Sequence, residues 1–320
     1  MLKILTAGLA GLVLLITGTS YIPAPVAANH PAPAPEKVRR IKTIIIDAGH
    51  GGRDVGARGA YSYEKNICLA IALKVGKKME EAFPDLKILY TRTNDSYPAI
   101  KARADFANAN KGDLFISIHV NAGVKQKHRK LIGYKTQVYY TGKGKNRKKR
   151  TRKVPRYKVW YTNSPSKGTE TYIWAADRSD EKGGFVGERM AEEVNDSTEY
   201  APDINDPEFK AKSLLWTKRY FNQSLLLATL VEKEFVKSGR YSRGVRQRNE
   251  KGIWVLQATA MPSILVETGF ITHRPEEDYL NSKKGQEEVA ASIVRAVAMY
   301  RESTEGTGKN TLKNSISAVN

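Results

Sequence analysis

Thr43-Ile-Ile-Ile-Asp-Ala-Gly-His-Gly-Gly52, near the start of the chain, is the segment most indicative of the fold. Its first five residues form a short β-branched, apolar run, which predicts a buried strand of a parallel sheet. The run ends in a glycine-rich loop around His50. Because glycine adds almost no bulk beside the imidazole, this loop lets the histidine approach a metal ion or a substrate closely.

Outward from this strand, strands and helices alternate along the chain. Apolar residues at helical spacing predict the helices, and short β-branched or apolar runs predict the strands. We expect helices over Tyr63–Phe83, Pro98–Ala109, Lys212–Lys237 and Lys284–Tyr300, and strands over Leu86–Tyr90, Asp113–His119 and Ser263–Glu267. This order predicts an α/β fold with a mostly parallel central sheet, helices on both faces and a long insertion after the third strand.

Composition limits the classes of function. With 320 residues and 41% hydrophobic residues, the chain can bury a substantial core. It carries 53 Lys and Arg against 33 Asp and Glu, and the net charge of +20 favours anionic partners such as nucleic acid, acidic lipid or an acidic cell-wall polymer. The single cysteine, Cys68, excludes a disulfide framework, a cysteine zinc finger and an iron–sulfur cluster. Any metal site must therefore use histidines and carboxylates.

The N-terminal residues predict an exported protein. The apolar run 4–17 is shorter than the roughly 20 residues of a membrane span and is typical of a signal-peptide core. We expect a signal peptide over 1–28 and a Pro/Ala linker over 29–42, with an uncleaved membrane anchor as the alternative. The predicted location is the periplasm, the cell envelope or the extracellular space. At the other end, the polar residues 303–320 predict a disordered tail.

A strongly basic segment lies within the insertion, which spans about 124–168. Lys125–Lys158 contains fifteen Lys or Arg and no Asp or Glu. One interpretation is a binding site for anionic polymers of the wall or outer membrane, with an affinity that falls as salt rises. The other is a solvated, protease-sensitive loop. Nucleic acid is not an expected partner, because the export signal argues against it and no aromatic residues interleave with the charges of Lys143–Lys153.

Four polar side chains are predicted to meet at one edge of the sheet. In open α/β sheets, ligands bind beyond the carboxyl ends of the strands. His50 follows the first strand, His119 ends the third, and Glu267 ends the run Ile264–Val266. Glu64 begins the first helix, within reach of the same strand ends. Two histidines and one carboxylate with an open fourth position form a common catalytic zinc set.

Each of these residues also has a simpler explanation. A histidine at a strand end is often only hydrogen-bonded, and Glu64 could merely complement the dipole of its helix. Glu267 could be a paired, buried carboxylate. Chance would have to place all four side chains at one edge, which favours a site. Asp47 and Asn121 are candidates to orient the ligands from behind them.

Six segments in chain order strongly resemble the zinc-dependent N-acetylmuramoyl-L-alanine amidases of bacterial cell-wall turnover. They are Ile45–Gly52, Tyr63–Asn66, Thr91–Arg92, Lys101–Asn108, Ser117–Ala122 and Pro262–Phe270. The resemblance runs from about Thr43 to Tyr300 and implies a single amidase catalytic domain over 43–302.

The resemblance also implies residue roles. It places one Zn²⁺ on His50, Glu64 and His119, and makes Glu267 the catalytic glutamate that takes a proton from water and passes it to the leaving amine. The implied reaction cleaves the amide between N-acetylmuramic acid and L-alanine in peptidoglycan, for wall turnover or daughter-cell separation. A wall-binding protein without activity and a zinc peptidase of the wall remain alternatives.

Relatives that act in daughter-cell separation carry an inserted helix, in which a glutamate blocks the zinc until a protein activator displaces the helix. The segment 178–212 has room for such an element, and Phe185–Met190 resembles its first part. Glu188 is then the candidate autoinhibitory residue, with Glu192 and Glu193 as rivals. A solvated helix face explains these glutamates equally well.

Overall fold

The computed structural model describes residues 40–195 and 203–306. The predicted signal peptide, almost all of the predicted linker and most of the predicted tail lie outside these residues. Within them, no helix is long and apolar enough to cross a membrane.

The described chain alternates strands and helices as the sequence predicts, with additional elements in the insertion. The strands are β1 (Thr43–Ala48), β2 (Lys87–Tyr90), β3 (Leu114–Asn121), β4 (Gln126–Thr141), β5 (Lys148–Thr162), β6 (Thr169–Ile173), β7 (Ser242–Gln247) and β8 (Ser263–Phe270). The helices are α1 (Glu64–Ala82), α2 (Ile100–Ala109), α3 (Ser179–Asn195), α4 (Pro207–Lys237), α5 (Trp254–Ala258), α6 (Arg274–Asn281) and α7 (Lys283–Glu305).

Six strands form the central sheet, in the order β2-β1-β3-β8-β6-β7. All neighbours pair in parallel except β6 and β8, which are antiparallel. The α/β fold with a mostly parallel sheet is therefore confirmed. Because β1, β3 and β8 are parallel neighbours, their carboxyl ends meet at the same edge of the sheet.

The sheet is buried on both faces. Side chains alternate along a strand, so Ile44 and Ile46 of β1 pack into one apolar cluster and Ile45 packs into the other. Helices α1 and α7 contribute to the first cluster, and α2 and α5 contribute to the second. Burial on both faces explains why β1 is an uninterrupted apolar run rather than an alternating one.

Two helices extend beyond the sequence predictions, and both have local causes. Helix α4 begins at Pro207 rather than Lys212, because the Asp206 side chain caps it by accepting from the Glu208 amide and proline suits the first turn. Helix α7 runs to Glu305, whose buried carboxylate accepts from the Ile41 amide. Part of the predicted tail and of the predicted linker is thus packed against the domain.

The basic segment forms regular structure. Strands β4 and β5 pair antiparallel over their whole length, from Gln126 opposite Thr162 to Thr141 opposite Lys148. A bulge between Leu131 and Gly133 interrupts the ladder once. We call this two-stranded element the ribbon. Its side chains are almost all exposed.

Candidate metal centre and active site

Three side chains converge at the carboxyl edge of β1 and β3. His50, Glu64 and His119 each offer a ligand atom, and these atoms all lie within 4.8 Å of one another. His50 Nε2 lies 3.1 Å from one Glu64 oxygen, and His119 Nδ1 lies 3.0 Å from the other. The structure therefore brings together the three residues that the sequence predicts as metal ligands.

The loop after β1 is shaped to let the histidines meet. His50 has a positive φ of 59°, an uncommon backbone conformation for a residue with a side chain. A Cβ atom at Gly49 would collide with the His119 ring. Glycine at position 49 is therefore required for the approach of the His119 imidazole to the loop.

Two buried arginines hold this loop from behind. Arg92 donates to the carbonyls of Ala48 and Gly49, at 2.8 Å each. Arg103 donates to the carbonyls of Ala48 and His50, at 2.7 and 2.6 Å. Because a guanidinium has several donors in a rigid plane, each arginine fixes two backbone carbonyls at once.

Glu64 is positioned by the first turn of α1. One of its oxygens accepts from the Ala57 amide at 2.7 Å, and the other accepts from the Val120 amide at 3.0 Å. Each oxygen thus meets one backbone amide and one histidine. This arrangement fixes the plane of the carboxylate and points it at both imidazoles.

The three groups strongly perturb one another. Burial alone would raise the pKa of Glu64, but the hydrogen bonds of His119 and His50 outweigh it and hold that pKa well below its usual range. Burial would likewise lower the pKa of His50, yet the bond and charge of Glu64 raise it to about 9. The pKa of His119 is also raised, for the same reason. Strongly shifted groups in one cluster are typical of a functional site.

Glu267 lies beside this cluster on β8. It is opposite His119 in the ladder between β3 and β8, and opposite Glu170 in the ladder between β8 and β6. Its side chain is buried, and its Oε2 atom has no hydrogen-bond partner among the described residues. Burial raises the pKa of Glu267 to about 7, and the nearby charge of Glu64 adds to the effect. A buried carboxylate with an unpaired oxygen is equipped to exchange a proton.

Asp47 and Asn121, predicted to orient the ligands, contact other groups. The buried Asp47 carboxylate accepts from Arg103, Thr91 and Ser117, at 2.6 Å each. It therefore acts on His50 through the backbone that Arg103 holds. Asn121 donates its side-chain amide to Glu170 at 3.2 Å.

Asp54 contacts the side chain of His50 directly, and the sequence analysis does not predict this residue. Its Oδ2 atom lies 2.9 Å from Nδ1 of His50, and its Oδ1 atom accepts from the Gly56 amide. A carboxylate behind a metal-binding histidine fixes the orientation and tautomer of the ring. The sequence does not predict this contact, because two residues four positions apart are expected to meet on a helix, whereas His50 and Asp54 lie in a loop.

Glu188 lies on the exposed side of α3. Its neighbour Arg189 is buried and donates to the carbonyls of Gly112 and Ala260, which precede β3 and β8. These carbonyls belong to the amino-terminal edge of the sheet, opposite the edge that carries the histidines. The structure therefore does not bring Glu188 to the cluster.

Comparison with known proteins agrees with this geometry. Residues 44–299 match the profile of the family Amidase_3, described as N-acetylmuramoyl-L-alanine amidase. The protein YqiI of Bacillus subtilis (strain 168), described as uncharacterized, is 29% identical over 81% of this chain and 84% of its own length. The amidase AmiC of Escherichia coli O6:H1 is 29% identical over 84% of this chain, which spans only 55% of that protein.

Solved structures agree in fold. The crystal structure of an N-acetylmuramoyl-L-alanine amidase from Clostridium difficile 630 superposes with a TM-score of 0.53 at 25% identity, covering 83% of this chain and 99% of that one. The family profile covers most of the chain, and the four residues implied by the family resemblance lie together in the structure. The chain therefore belongs to the Amidase_3 family of N-acetylmuramoyl-L-alanine amidases.

Proposed function

We propose that this amidase works with one zinc ion held by His50, Glu64 and His119. The donor set fits the metal: two imidazoles and one carboxylate are a common catalytic zinc set that leaves a position open. The geometry fits as well, since the three ligand atoms already lie within 4.8 Å of one another. A shared cation would compensate the buried carboxylate of Glu64, which lacks Lys and Arg partners among the described side chains.

The reaction is hydrolysis of the amide between N-acetylmuramic acid and L-alanine in peptidoglycan, for turnover of the cell wall. When bound, the metal would polarise the amide carbonyl and make water more acidic. Glu267 supplies the proton transfers: it accepts a proton from the attacking water and returns it to the leaving amine of L-alanine. A group with a pKa of about 7 suits both halves of this task near neutral pH.

The unpaired, buried oxygen of Glu267 beside His119 carries this proposal. A protein that only bound the wall would gain nothing from burying a carboxylate without a hydrogen-bond partner, because such burial costs free energy. The same arrangement would serve a zinc peptidase of the wall, so only the products distinguish the two enzymes.

Zinc content and product analysis test the proposal. We expect one zinc per chain in the wild type, loss of zinc in His119→Ala, and retained zinc with a 10²- to 10⁴-fold lower rate in Glu267→Gln. Glu208→Gln, an exposed change on α4, is the control. Stem peptides with a free N-terminal L-alanine identify the amidase. Cleavage within the stem peptide would instead identify a peptidase, and failure to bind zinc would overturn the metal site.

We also propose that the chain is exported to the periplasm or cell envelope. Its substrate class lies outside the cytoplasmic membrane, and the apolar run 4–17 followed by small residues is typical of a signal peptide. N-terminal sequencing of the mature protein from the producing cell checks this. A start near residue 29 supports cleavage, whereas an intact N-terminus in the cytosolic fraction contradicts export.

Regulation by a protein activator remains a proposal, with Glu188 as the predicted blocking residue. The position of α3 in this structure does not support it, since Glu188 would reach the cluster only after a large movement of the helix. The test is single-turnover activity of Glu188→Ala beside Glu192→Ala. A rise specific to Glu188→Ala supports autoinhibition, and equal rates in all three proteins contradict it.

Peptidoglycan is the substrate, and Lys125–Lys158 is proposed as a contact for anionic polymers of the envelope. The segment holds no carboxylate that could neutralise its fifteen cationic side chains internally. Nucleic acid remains an unexpected partner.

A further inference from the structure

The two faces of the ribbon differ in chemistry. Side chains alternate along a strand, and residues directly opposite in an antiparallel pair share a face. On β5, one face presents Lys148, Arg150, Arg152, Val154, Arg156 and Lys158. The gap at Val154 is filled from β4, because Lys135 lies directly opposite it. With Lys130, opposite Lys158, this surface carries seven cations, and we call it the basic face.

The opposite surface is mostly aromatic and aliphatic. It carries Tyr134, Tyr140, Tyr157 and Tyr161 together with Leu131, Val138 and Val159. Its tyrosines are between 43% and 61% exposed. We call this surface the tyrosine face. Its cations are four in number: Lys127, Arg129, Lys149 and Lys153.

The cations of the basic face form a row at a regular interval. Alternate residues of a strand are about 6.8 Å apart, so the row presents one positive charge at roughly that spacing along β5. A linear polymer with phosphodiester charges at a similar spacing can pair with the row charge for charge. Binding would then release the counterions of each neutralised phosphate.

The aromatic rings of the basic face are already engaged. Tyr139 lies under the guanidinium of Arg152, 5.4 Å from its ring centroid, and Trp160 stacks on His128 with centroids 5.4 Å apart. Proteins that hold single-stranded nucleic acid place open aromatic platforms among their cations, on which the bases stack. On the other face, Tyr140 and Tyr157 lie under Arg147 and Arg129. The ribbon tyrosines without such a contact among the described residues, Tyr134 and Tyr161, belong to the tyrosine face and not to the row of cations. This separation favours a polyanion without bases.

The shape of the ribbon favours a polymer over a flat surface. Two-stranded ribbons twist more strongly than wide sheets, so the row of cations winds around the ribbon axis. A flexible chain can follow this path, whereas a planar lipid surface meets only part of it.

We propose that the basic face binds a linear, base-free polyanion of the cell wall, in which phosphodiester groups link short polyols. The choice of a wall polymer rests on the peptidoglycan substrate of the catalytic domain, because the polymer must lie where that substrate lies. The binding itself does not depend on the zinc chemistry, since none of the basic-face residues belongs to the metal cluster.

Two variants with equal charge loss test the face. One changes Lys148, Arg150, Arg156 and Lys158 to Gln on the basic face, and the other changes Lys127, Arg129, Lys149 and Lys153 to Gln on the tyrosine face. Each removes four positive charges. The probe is poly(glycerol phosphate) of defined length, and the affinity of the full chain is measured as a function of salt.

The basic-face variant should lose most of the affinity. A flexible single chain contributes about 0.7 to the salt slope of log K for each neutralised phosphate, so the slope should fall by roughly 3 in this variant. The tyrosine-face variant should change the slope by less than about 1. Both variants should keep wild-type activity on a soluble muropeptide, which shows that they are folded and separates this proposal from the amidase proposal.

Three outcomes overturn the assignment. Equal losses in the two variants would mean that the ribbon responds only to total charge. Tighter binding of single-stranded DNA of matched charge, lost in Tyr139→Ala and Trp160→Ala, would mean that the partner is a nucleic acid. Binding to vesicles of anionic lipid that depends on the tyrosine face and not on the basic face would mean that the partner is a membrane.

Discussion

At the scale of single residues, the site depends on buried charges that act on backbone atoms. The pair of Asp47 and Arg103, joined at 2.6 Å, is almost completely buried. Arg103 also donates to the carbonyls of Ala48 and His50, in and next to the loop that carries His50. The pair therefore fixes the backbone of His50, a proposed metal ligand, although neither residue contacts the side chain of a proposed ligand.

The ion pair of Asp47 and Arg103 should make the free energy of unfolding depend on pH. Burial would raise the pKa of Asp47, but the charge of Arg103 and the hydrogen bonds of Ser117, Thr91 and Arg103 together outweigh it and lower that pKa below the usual 3.8. The carboxylate therefore stabilises the fold above the unfolded-state value, and this contribution is lost as pH falls through the folded-state pKa. At pH 7, Asp47→Asn leaves Arg103 buried without its partner and should cost about 3–5 kcal/mol.

Urea unfolding of the wild type and Asp47→Asn at pH 7 and pH 3 measures this effect. The difference between the two proteins should shrink at the lower pH. Asp105→Asn, in the exposed pair with Lys101, is the control and should cost less than about 1 kcal/mol. A difference that stays constant between pH 7 and pH 3 would contradict the assigned role of Asp47.

Asp54 should tune the affinity for metal. Asp54→Asn keeps the shape of the side chain but removes the charge that faces Nδ1 of His50, so the zinc affinity should fall about 10- to 100-fold. Competition with a chromophoric chelator measures it, again with Asp105→Asn as the control. An unchanged zinc affinity would show that the contact at 2.9 Å has no part in holding the ligand.

Among helices and strands, the sequence predicts those whose residues form a clear local pattern. The helices α1, α2, α4 and α7 and the strands β1, β3 and β8 follow from periodicity and apolar runs, and the strand ends place His50, His119 and Glu267 at one edge. The sequence does not predict the ribbon, because the many charges of this segment mask the alternating pattern of its β-rich runs. Two such runs, Thr136–Thr141 and Tyr157–Thr162, lie on either side of a glycine-containing turn. The arginine and Asp54 contacts depend on tertiary packing, which one sequence does not show.

The ribbon should resist trypsin along its strands in spite of its many Lys and Arg residues. Paired backbone must open before a protease can bind it, whereas the turn at 142–147 is accessible at once. Brief digestion followed by mass spectrometry should find cuts at Lys143, Lys145 and Arg147 first. In Val138→Pro, which breaks the ladder, cuts within both strands should become as fast as those in the turn. Uniform cleavage in the wild type would instead indicate the solvated loop.

At the scale of the whole molecule, the ribbon and the active site leave the sheet from the same place. Strand β3 carries His119 and ends at Asn121, and β4 of the ribbon begins at Gln126. The last residue of the ribbon, Thr162, is followed by β6, which pairs with β8 next to Glu267. Both ends of the ribbon are therefore connected to the edge of the sheet that carries His119 and Glu267. A polymer bound to the basic face would be tethered to the proposed site of peptidoglycan cleavage.

This arrangement should make activity on whole walls depend on salt. Raising the salt concentration weakens the contact between the basic face and the polyanion. It has little effect on interactions within the buried active site, because buried charges are screened much less than exposed ones. Hydrolysis of walls that retain their anionic polymer should fall several-fold between 50 and 200 mM salt. Hydrolysis of a soluble muropeptide should change little. Parallel loss on both substrates would place the salt effect in the catalytic domain.

The pairing of Gln126 with Thr162 also bears on how such an enzyme acquires or loses its insertion. Residues paired directly across an antiparallel ladder are about 5 Å apart, so the two ends of the ribbon are nearly adjacent in space. Joining residue 125 to residue 163 would need almost no rearrangement of the neighbouring strands. The ribbon can thus be inserted, replaced or deleted during evolution without disturbing the central sheet. Its proposed specificity for a wall polymer could then change while the fold of the catalytic domain stays the same.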